Sequence, residues 1–390
     1  MEYPGGLSIR SLYLDNAATT YPKPEVVYRE VERFMREVGG SAGRSGHWRA
    51  VETGRAVFKA REALAGMFNV PDPLRIAFTG NATEGLNIAI QGLLKPGDHV
   101  VTSSVEHNSV MRPLTAARAA GVSYSVAQCD PTGRLDPADV EREITDSTVL
   151  VVLNHASNVA GTILPVADVA AIAHSHGIPL LLDAAQTAGR IPIDVVSDGI
   201  DLLAFTGHKE LFGPQGTGGL YVREGLEVEP LCYGGTGSRS SELEQPRRMP
   251  DRLESGTLNA AGIAGLEAGV RFIEERGVDE IRRHELELLG RLLEGIALID
   301  GVTPLGPGDP VQRVSIVPLL FDGHSPSEAA EILDRRYGIA TRAGMHCSPS
   351  AHRTIGTLDT GVTRVSFSYL NDSGDVDYLL ECLREMQKGI

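Results

Sequence analysis

Short, unbroken apolar runs recur through the first half of the chain, each closed by a polar turn and followed by a helical stretch. The runs cover residues 75–78, 99–102, 122–127, 149–153, 179–182 and 201–205, with helical patterns such as 135–145 and 166–176 between them. A strand that is apolar on both faces has to be covered on both faces, and parallel neighbours need a long crossover that a helix supplies. The alternation therefore predicts an α/β fold with a mostly parallel sheet between layers of helices. One more run, 218–222, follows a Gly- and Pro-rich stretch and is expected to add an edge strand.

Ligands of such sheets bind beyond the carboxyl ends of the strands, so the residues after each run carry the functional information. After Phe78 comes Thr79-Gly80-Asn81-Ala82-Thr83-Glu84 and then a helix. Free N–H groups at a helix N-terminus favour a phosphate, although Thr83 also reads as an ordinary N-cap. After Thr102 comes Glu106-His107-Asn108; the imidazole can stack on a flat ring, act as an acid–base group, or be a satisfied structural histidine. Asn154-His155-Ala156-Ser157-Asn158 offers polar side chains to ligand oxygens, or turn chemistry. Asp183 follows three leucines, and a carboxylate there needs a partner. Gln186 stands one helical turn further on. The run 201–205 stops at Thr206-Gly207-His208-Lys209. Alone, Lys209 reads as a surface lysine in a loop; in an apolar site its pKa falls and it forms Schiff bases with carbonyl compounds. One βαβ step separates Asp183 from Lys209, so both reach the same sheet edge from neighbouring strands.

A phosphate cradle, a buried carboxylate, a flat-ring stacker and a lysine together describe a site for pyridoxal 5'-phosphate. That cofactor needs a carboxylate on its pyridine nitrogen and an amine on its aldehyde carbon. A dinucleotide site fails a simple check, because no Gly-x-Gly-x-x-Gly follows the early strands.

With 390 residues the chain exceeds one ordinary core, so two domains are expected. Residues 11–15 read as a strand. Pro24 opens a helix to about Val38, the Gly-rich stretch 39–46 is a loop, and a helix covers 50–68. Beyond a second flexible loop, 233–241, a long helix begins after Asn259 with Ile263, Leu266, Val270 and Ile273 on one stripe. It leads to a helix over 281–298, strands over 314–318 and 363–368, and a helix over 374–386. The net charge of -15 argues against nucleic acid. No apolar run spans a bilayer, and residues 1–6 lack a basic region followed by an apolar one. Cys129, Cys232, Cys347 and Cys382 have no metal-motif spacing, so no metal site is expected, and reduced thiols in a cytoplasmic protein are the simplest reading.

The linked motifs, from Tyr13-Leu14-Asp15-Asn16-Ala17-Ala18-Thr19-Thr20 through Tyr369-Leu370-Asn371, resemble the class V aminotransferase family, and within it cysteine desulfurases and selenocysteine lyases. The resemblance runs nearly end to end. It implies the PLP-dependent transferase fold type I: a large domain, 16–262, with a mostly parallel seven-stranded sheet, and a smaller α+β domain from 1–15 plus 263–390. It implies a homodimer with the active site at the subunit interface. Lys209 matches the lysine bonded to the cofactor, Asp183 the partner of the pyridine nitrogen, and His107 the stacking ring. Gln186 and Asn158 match residues at or near the ring hydroxyl. Ala82, Thr83, Thr206 and His208 match phosphate contacts, and Thr257, in Glu254-Ser255-Gly256-Thr257, a phosphate contact donated by the other subunit. Arg364 matches the arginine that binds the substrate carboxylate; Arg342 and Asn16 match positions lining the same pocket.

Cys347 decides the reaction. A lone cysteine is usually a small buried hydrophobe, but Thr341-Arg342-Ala343-Gly344-Met345-His346-Cys347-Ser348-Pro349 is no core pattern, and Arg342 and His346 can stabilise a thiolate. The short loop resembles the second group of cysteine desulfurases, which commonly has another histidine where this chain has Met345. A small or apolar residue is also usual where Glu210 stands. The implied reaction removes sulfur from L-cysteine, leaving L-alanine and a persulfide on Cys347 that passes to an acceptor protein or thiol, as in iron–sulfur cluster assembly. L-Selenocysteine is the competing substrate. Another aminotransferase or carbon–sulfur lyase of the same fold, or a non-catalytic sulfur carrier, are the other readings.

Overall fold

The computed structural model describes residues 10–388 apart from Arg44 and Ser240. Residues 1–6, read above for a leader, and parts of the loops 39–46 and 233–241 lie outside the described residues. The strands are β1 (Leu12–Tyr13), β2 (Ile76–Thr79), β3 (His99–Ser103), β4 (Ser123–Ala127), β5 (Thr148–Asn154), β6 (Leu180–Asp183), β7 (Leu202–Thr206), β8 (Gly218–Val222), β9 (Val302–Pro304), β10 (Ile316–Phe321), β11 (Ile339–Ala340), β12 (Arg342–Gly344) and β13 (Val362–Ser366).

Seven strands form the main sheet in the order β2-β8-β7-β6-β5-β3-β4. The five from β7 to β4 are mutually parallel. Strand alternation sends side chains to two cores. Leu180, Leu182, Leu203 and Phe205 enter the core shared with helices Trp48–Met67 and Ala260–Arg276. Leu181, Leu202 and Ala204 enter the one shared with helices Ala82–Leu93 and Asn108–Ala117. The predicted stripe Ile263, Leu266, Val270 and Ile273 is buried in the first of these.

The expectation that 218–222 is an edge strand is wrong. β8 lies inside the sheet, antiparallel to both β2 and β7. Its position after a Gly- and Pro-rich stretch does not put it at the sheet's edge, and its two glycines, which would weaken an isolated strand, admit neighbours here. A Cβ on Gly219 would stand 2.3 Å from Cζ of Phe205, a ring with no exposed surface and no room to turn. Gly219→Ala is accordingly expected to cost about 1–3 kcal/mol through overpacking, read as a lower urea midpoint with an unchanged slope.

The C-terminal part builds an antiparallel sheet, β12-β13-β10-β9, with helices Val278–Ile296, Pro326–Tyr337 and Ser373–Gln387. Its core gathers Leu288, Leu292, Val317, Leu319, Leu333, Val365 and Leu379. β1 pairs in parallel with β11, which draws Leu12 and Leu14 into this core. Helix Pro326–Tyr337 is absent from the sequence reading, although its capping box, Ser325 with Glu328, is a local signal. Among the described residues no helix is long and apolar enough to cross a membrane.

Candidate active site

β5, β6 and β7 run side by side, with Asn154 opposite Asp183 and Asp183 opposite Ala204. Beyond their carboxyl ends lies a cleft. Ala82, Thr83, His107, Asn158, Asp183, Gln186, Thr206, His208 and Lys209 all line it, together with Ser109 and Asn81, which the sequence reading did not single out.

The helix behind Ala82 and Thr83 is capped by Asn81, whose Oδ1 accepts from Glu84 N–H at 3.0 Å, and not by Thr83. That leaves the Thr83 hydroxyl free to face the cleft, 2.7 Å from Ser109 Oγ. Ser109 Oγ in turn lies 2.8 Å from His107 Nδ1, which also accepts from Ser109 N–H at 3.1 Å. His107 caps its own helix in this way, and the ring proton sits on Nε2. Burial pushes the His107 pKa down to about 4, and Lys209 and nearby arginines add to the effect, so the ring is neutral at pH 7. Glu106 turns away from the cleft, accepting from Ser103 Oγ at 2.6 Å and Asn154 N–H at 2.9 Å.

Asp183 is buried, which raises its pKa, and a bond from Ala185 N–H at 2.9 Å and the charge of Lys209 oppose the rise. Burial pulls Lys209 down from 10.5 to about 8; Asp183 opposes this, and Arg364, Arg342 and Arg190 reinforce it. Gln186 Oε1, Thr206 Oγ1 and His208 Nδ1 are buried with no partner among the described residues. Leaving a buried polar atom unpaired costs about 1–3 kcal/mol, so three at one cleft mark a place for a polar ligand. The first-turn N–H groups of helix Ala82–Leu93, which a helix cannot satisfy itself, open on the same space. An anion at one end and a group facing Asp183 at the other fit pyridoxal 5'-phosphate.

Cys347 is exposed on the loop between β12 and helix Pro349–Thr354, beside the cleft. Its carbonyl accepts from Asn108 N–H at 2.9 Å, next to His107. The Asn158 side chain holds both flanks, donating to His346 O at 2.7 Å and accepting from Ser348 Oγ at 2.7 Å. His346 and Cys347 have φ of 50° and 58°. The left-handed region costs a residue with a Cβ roughly 1–2 kcal/mol.

The expectation that His346 stabilises a thiolate is not met. Its ring is buried, with Nε2 3.0 Å from Arg342 O and Nδ1 facing His352. Burial lowers its pKa to about 3, so it carries no charge near pH 7. Among the described residues Arg342 is the one that reaches the sulfur, with Nη2 at 3.9 Å from Sγ. Arg364 lies directly across the strand pair from Arg342. Its guanidinium is paired with Asp15 at 2.6 Å and donates to Asn158 O at 3.0 Å, while Nε has no partner.

Asn16 is not placed on the pocket wall. It is fully buried, its amide donating to Ser366 O at 3.0 Å and its oxygen accepting from Tyr21 N–H at 3.2 Å, so it holds the entry of the chain against β13. Thr257 is exposed and lies outside the cleft, lining a separate concavity with Ser41 and Thr236. The segment before it is fixed by a buried pair, Arg61 with Glu254 at 2.9 Å.

Residues 12–379 match the aminotransferase class-V family. The chain belongs to this family of pyridoxal phosphate-dependent enzymes. It is 36% identical over 384 residues to a probable cysteine desulfurase of Methanothermobacter thermautotrophicus, covering 96% of this chain and 94% of that protein. It is 33% identical to a probable cysteine desulfurase of Halalkalibacterium halodurans, covering 97% and 93%. The apo structure of a cysteine desulfurase from Thermococcus onnurineus superposes with a TM-score of 0.92 at 32% identity, covering 97% and 95% of the two chains.

Proposed function

We propose that this chain is a pyridoxal phosphate-dependent cysteine desulfurase that converts L-cysteine to L-alanine and holds the removed sulfur as a persulfide on Cys347. One observation carries the reading: an exposed thiol on a left-handed loop is tethered by Asn158 and Asn108 to a cleft in which a lysine of lowered pKa faces a buried carboxylate. When bound, the cofactor supplies an aldehyde carbon for amines and a pyridinium ring that accepts electrons. Asp183 would hold the proton on the ring nitrogen, and His107 would stack on the ring's face. Ala82, Thr83, Thr206 and His208 would hold the phosphate, with Gln186 and Asn158 near the ring hydroxyl. Lys209, freed by the incoming substrate, takes the proton from its α-carbon. Arg364 takes the substrate carboxylate, and Arg342 stands beside the Cys347 sulfur. The Cys347 thiolate attacks the substrate sulfur; the carbon–sulfur bond breaks with its electron pair left on the β-carbon, which takes a proton to become a methyl group, the α-carbon regains the proton taken by Lys209, alanine leaves, and a sulfur–sulfur bond remains on Cys347.

Thr257, exposed and outside its own chain's cleft, fits a residue offered to a second copy, so we read the working form as a homodimer in the cytoplasm with a division at 16–262 against 1–15 plus 263–390. A sulfur-acceptor protein completes the cycle. Incubation with L-cysteine should give alanine and sulfide in equal amounts with a thiol reductant. Without reductant, a mass increase of one sulfur should map to the Cys347 peptide. Pyruvate in place of alanine would replace the reading with another carbon–sulfur lyase.

The lowered Lys209 pKa gives a further expectation. Only the neutral amine attacks an aldehyde, so the rate at which cofactor-free protein takes up the cofactor should rise with pH and level off above about 8. Stopped-flow absorbance checks this; a rise continuing to 10.5, the ordinary lysine value, would place the amine in solvent.

A further inference from the structure

A polar chain runs behind the cysteine loop without touching the sulfur or the cleft. Thr357 Oγ1 lies 2.7 Å from His352 Nδ1, His352 Nε2 lies 3.4 Å from His346 Nδ1, and His346 Nε2 lies 3.0 Å from Arg342 O. A carbonyl oxygen only accepts. His346 Nε2 therefore carries its proton and Nδ1 accepts; His352 donates from Nε2 and accepts at Nδ1 from the Thr357 hydroxyl. This proton arrangement satisfies these three bonds with both rings neutral, and the Thr357 and Met345 carbonyls also lie within hydrogen-bonding reach of the His352 ring. The ring planes lie within 15° of each other, edge to edge with centroids 5.7 Å apart, and the three residues are 3%, 0% and 3% exposed from His346 to Thr357.

The chain ends on a backbone carbonyl, so it delivers no proton to the thiol. What it fixes is the ring of His346, whose own carbonyl is held by Asn158 and which immediately precedes Cys347. His346 and Cys347 both occupy backbone conformations that side chains avoid, and such conformations persist only where the surroundings over-determine them. Asn158, Ser348 and Asn108 hold the loop from the cleft side; His352, backed by Thr357, holds it from behind through a side chain.

We propose that His352, backed by Thr357, is a positioning residue that keeps the Cys347 thiol aimed at the substrate sulfur. This rests on Cys347 being the sulfur acceptor. His352→Leu removes the donor to His346 and keeps the bulk. It is expected to lower kcat for alanine formation at least tenfold, with KM for L-cysteine within about twofold and the cofactor absorbance band retained. His352→Gln restores an N–H donor with an adjacent acceptor and should return kcat to within about threefold of the wild type. A His352→Leu enzyme with kcat within twofold of wild type, or a glutamine variant as slow as the leucine one, overturns the proposal. If the leucine variant does not retain the cofactor band, Thr357→Val decides: a fivefold or larger loss of kcat at constant KM supports the chain, and no loss overturns it. The underlying reading fails separately, if wild-type protein accumulates no persulfide on Cys347.

Discussion

Lys209→Ala is expected to lower turnover of L-cysteine about ten-thousandfold, the combined scale of a lost covalent anchor and a lost general base. The argument is local. Lys209 is the lysine among the residues lining the cleft, and it faces Asp183 from the neighbouring strand. Its pKa, lowered to about 8, leaves a substantial neutral fraction near neutrality, which a solvated lysine lacks. Alanine removes the amine and leaves the rest of the cradle intact: Thr83, Asp183, Gln186 and Thr206 keep their positions on β-strand ends and helix starts. Cofactor should therefore still bind, without a bond that borohydride can fix. Peptide mapping after reduction should find a cofactor adduct on Lys209 in the wild type and none in the variant. Lys209→Arg should not restore activity, because guanidinium stays protonated, whereas a small primary amine in the buffer should restore part of it by entering the vacated space. Turnover within about tenfold of wild type in Lys209→Ala would remove Lys209 from the chemistry.

The parts of this site legible in the sequence are those set by strand ends. Asp183 and Lys209 follow unbroken apolar runs, and the topology of parallel strands brings such positions together whatever the intervening helices contain. Orientation is what the local sequence does not carry. His346 sits beside Cys347 in the chain, yet its ring turns inward to His352, because Arg342 O and His352 satisfy both nitrogens there. Asp15 meets Arg364 across 349 residues, a pairing made where the segment after β1 joins β13 through the parallel bridge of Asp15 with Ser366. The same join buries Asn16. β8 escaped a correct placement because its second neighbour, β2, lies far upstream in the chain and nothing local to the run signals that pairing. The C-terminal strands β9, β11 and β12 have two or three residues each, too few to show a period.

Glu210 is the residue whose local sequence gave no physical account, and the structure supplies one. Its carboxylate is 2.5 Å from Arg190 Nη2, and Arg190 Nε is 2.9 Å from Glu285 of helix Val278–Ile296. Arg190 also donates to Phe367 O at 3.0 Å, and Ser315 Oγ donates to Glu285 at 2.8 Å. Arg190, Glu210 and Glu285 are at most 2% exposed. One guanidinium thus holds two buried carboxylates, one beside Lys209 and one on the helix that carries the C-terminal core. Arg190→Met, of similar volume, is expected to destabilise the fold by about 3–5 kcal/mol, because it removes the ion-pair partner of two buried carboxylates and leaves only the charges of Lys23 and Arg282 acting on Glu210 and Glu285. The loss should depend on pH. Burial raises both carboxyl pKa values above the ordinary 4.5, and Arg190 opposes the rise. A carboxyl whose folded pKa is raised contributes stability below its unfolded pKa, and that contribution falls as pH rises toward the folded value. Removing Arg190 raises the folded values further, so the penalty is small near pH 4 and larger near pH 8. Urea melts of wild type and variant at those two pH values measure it. An equal loss at both would assign the effect to packing, and a loss below about 1 kcal/mol at pH 8 would mean that water reaches the carboxylates once the arginine is gone.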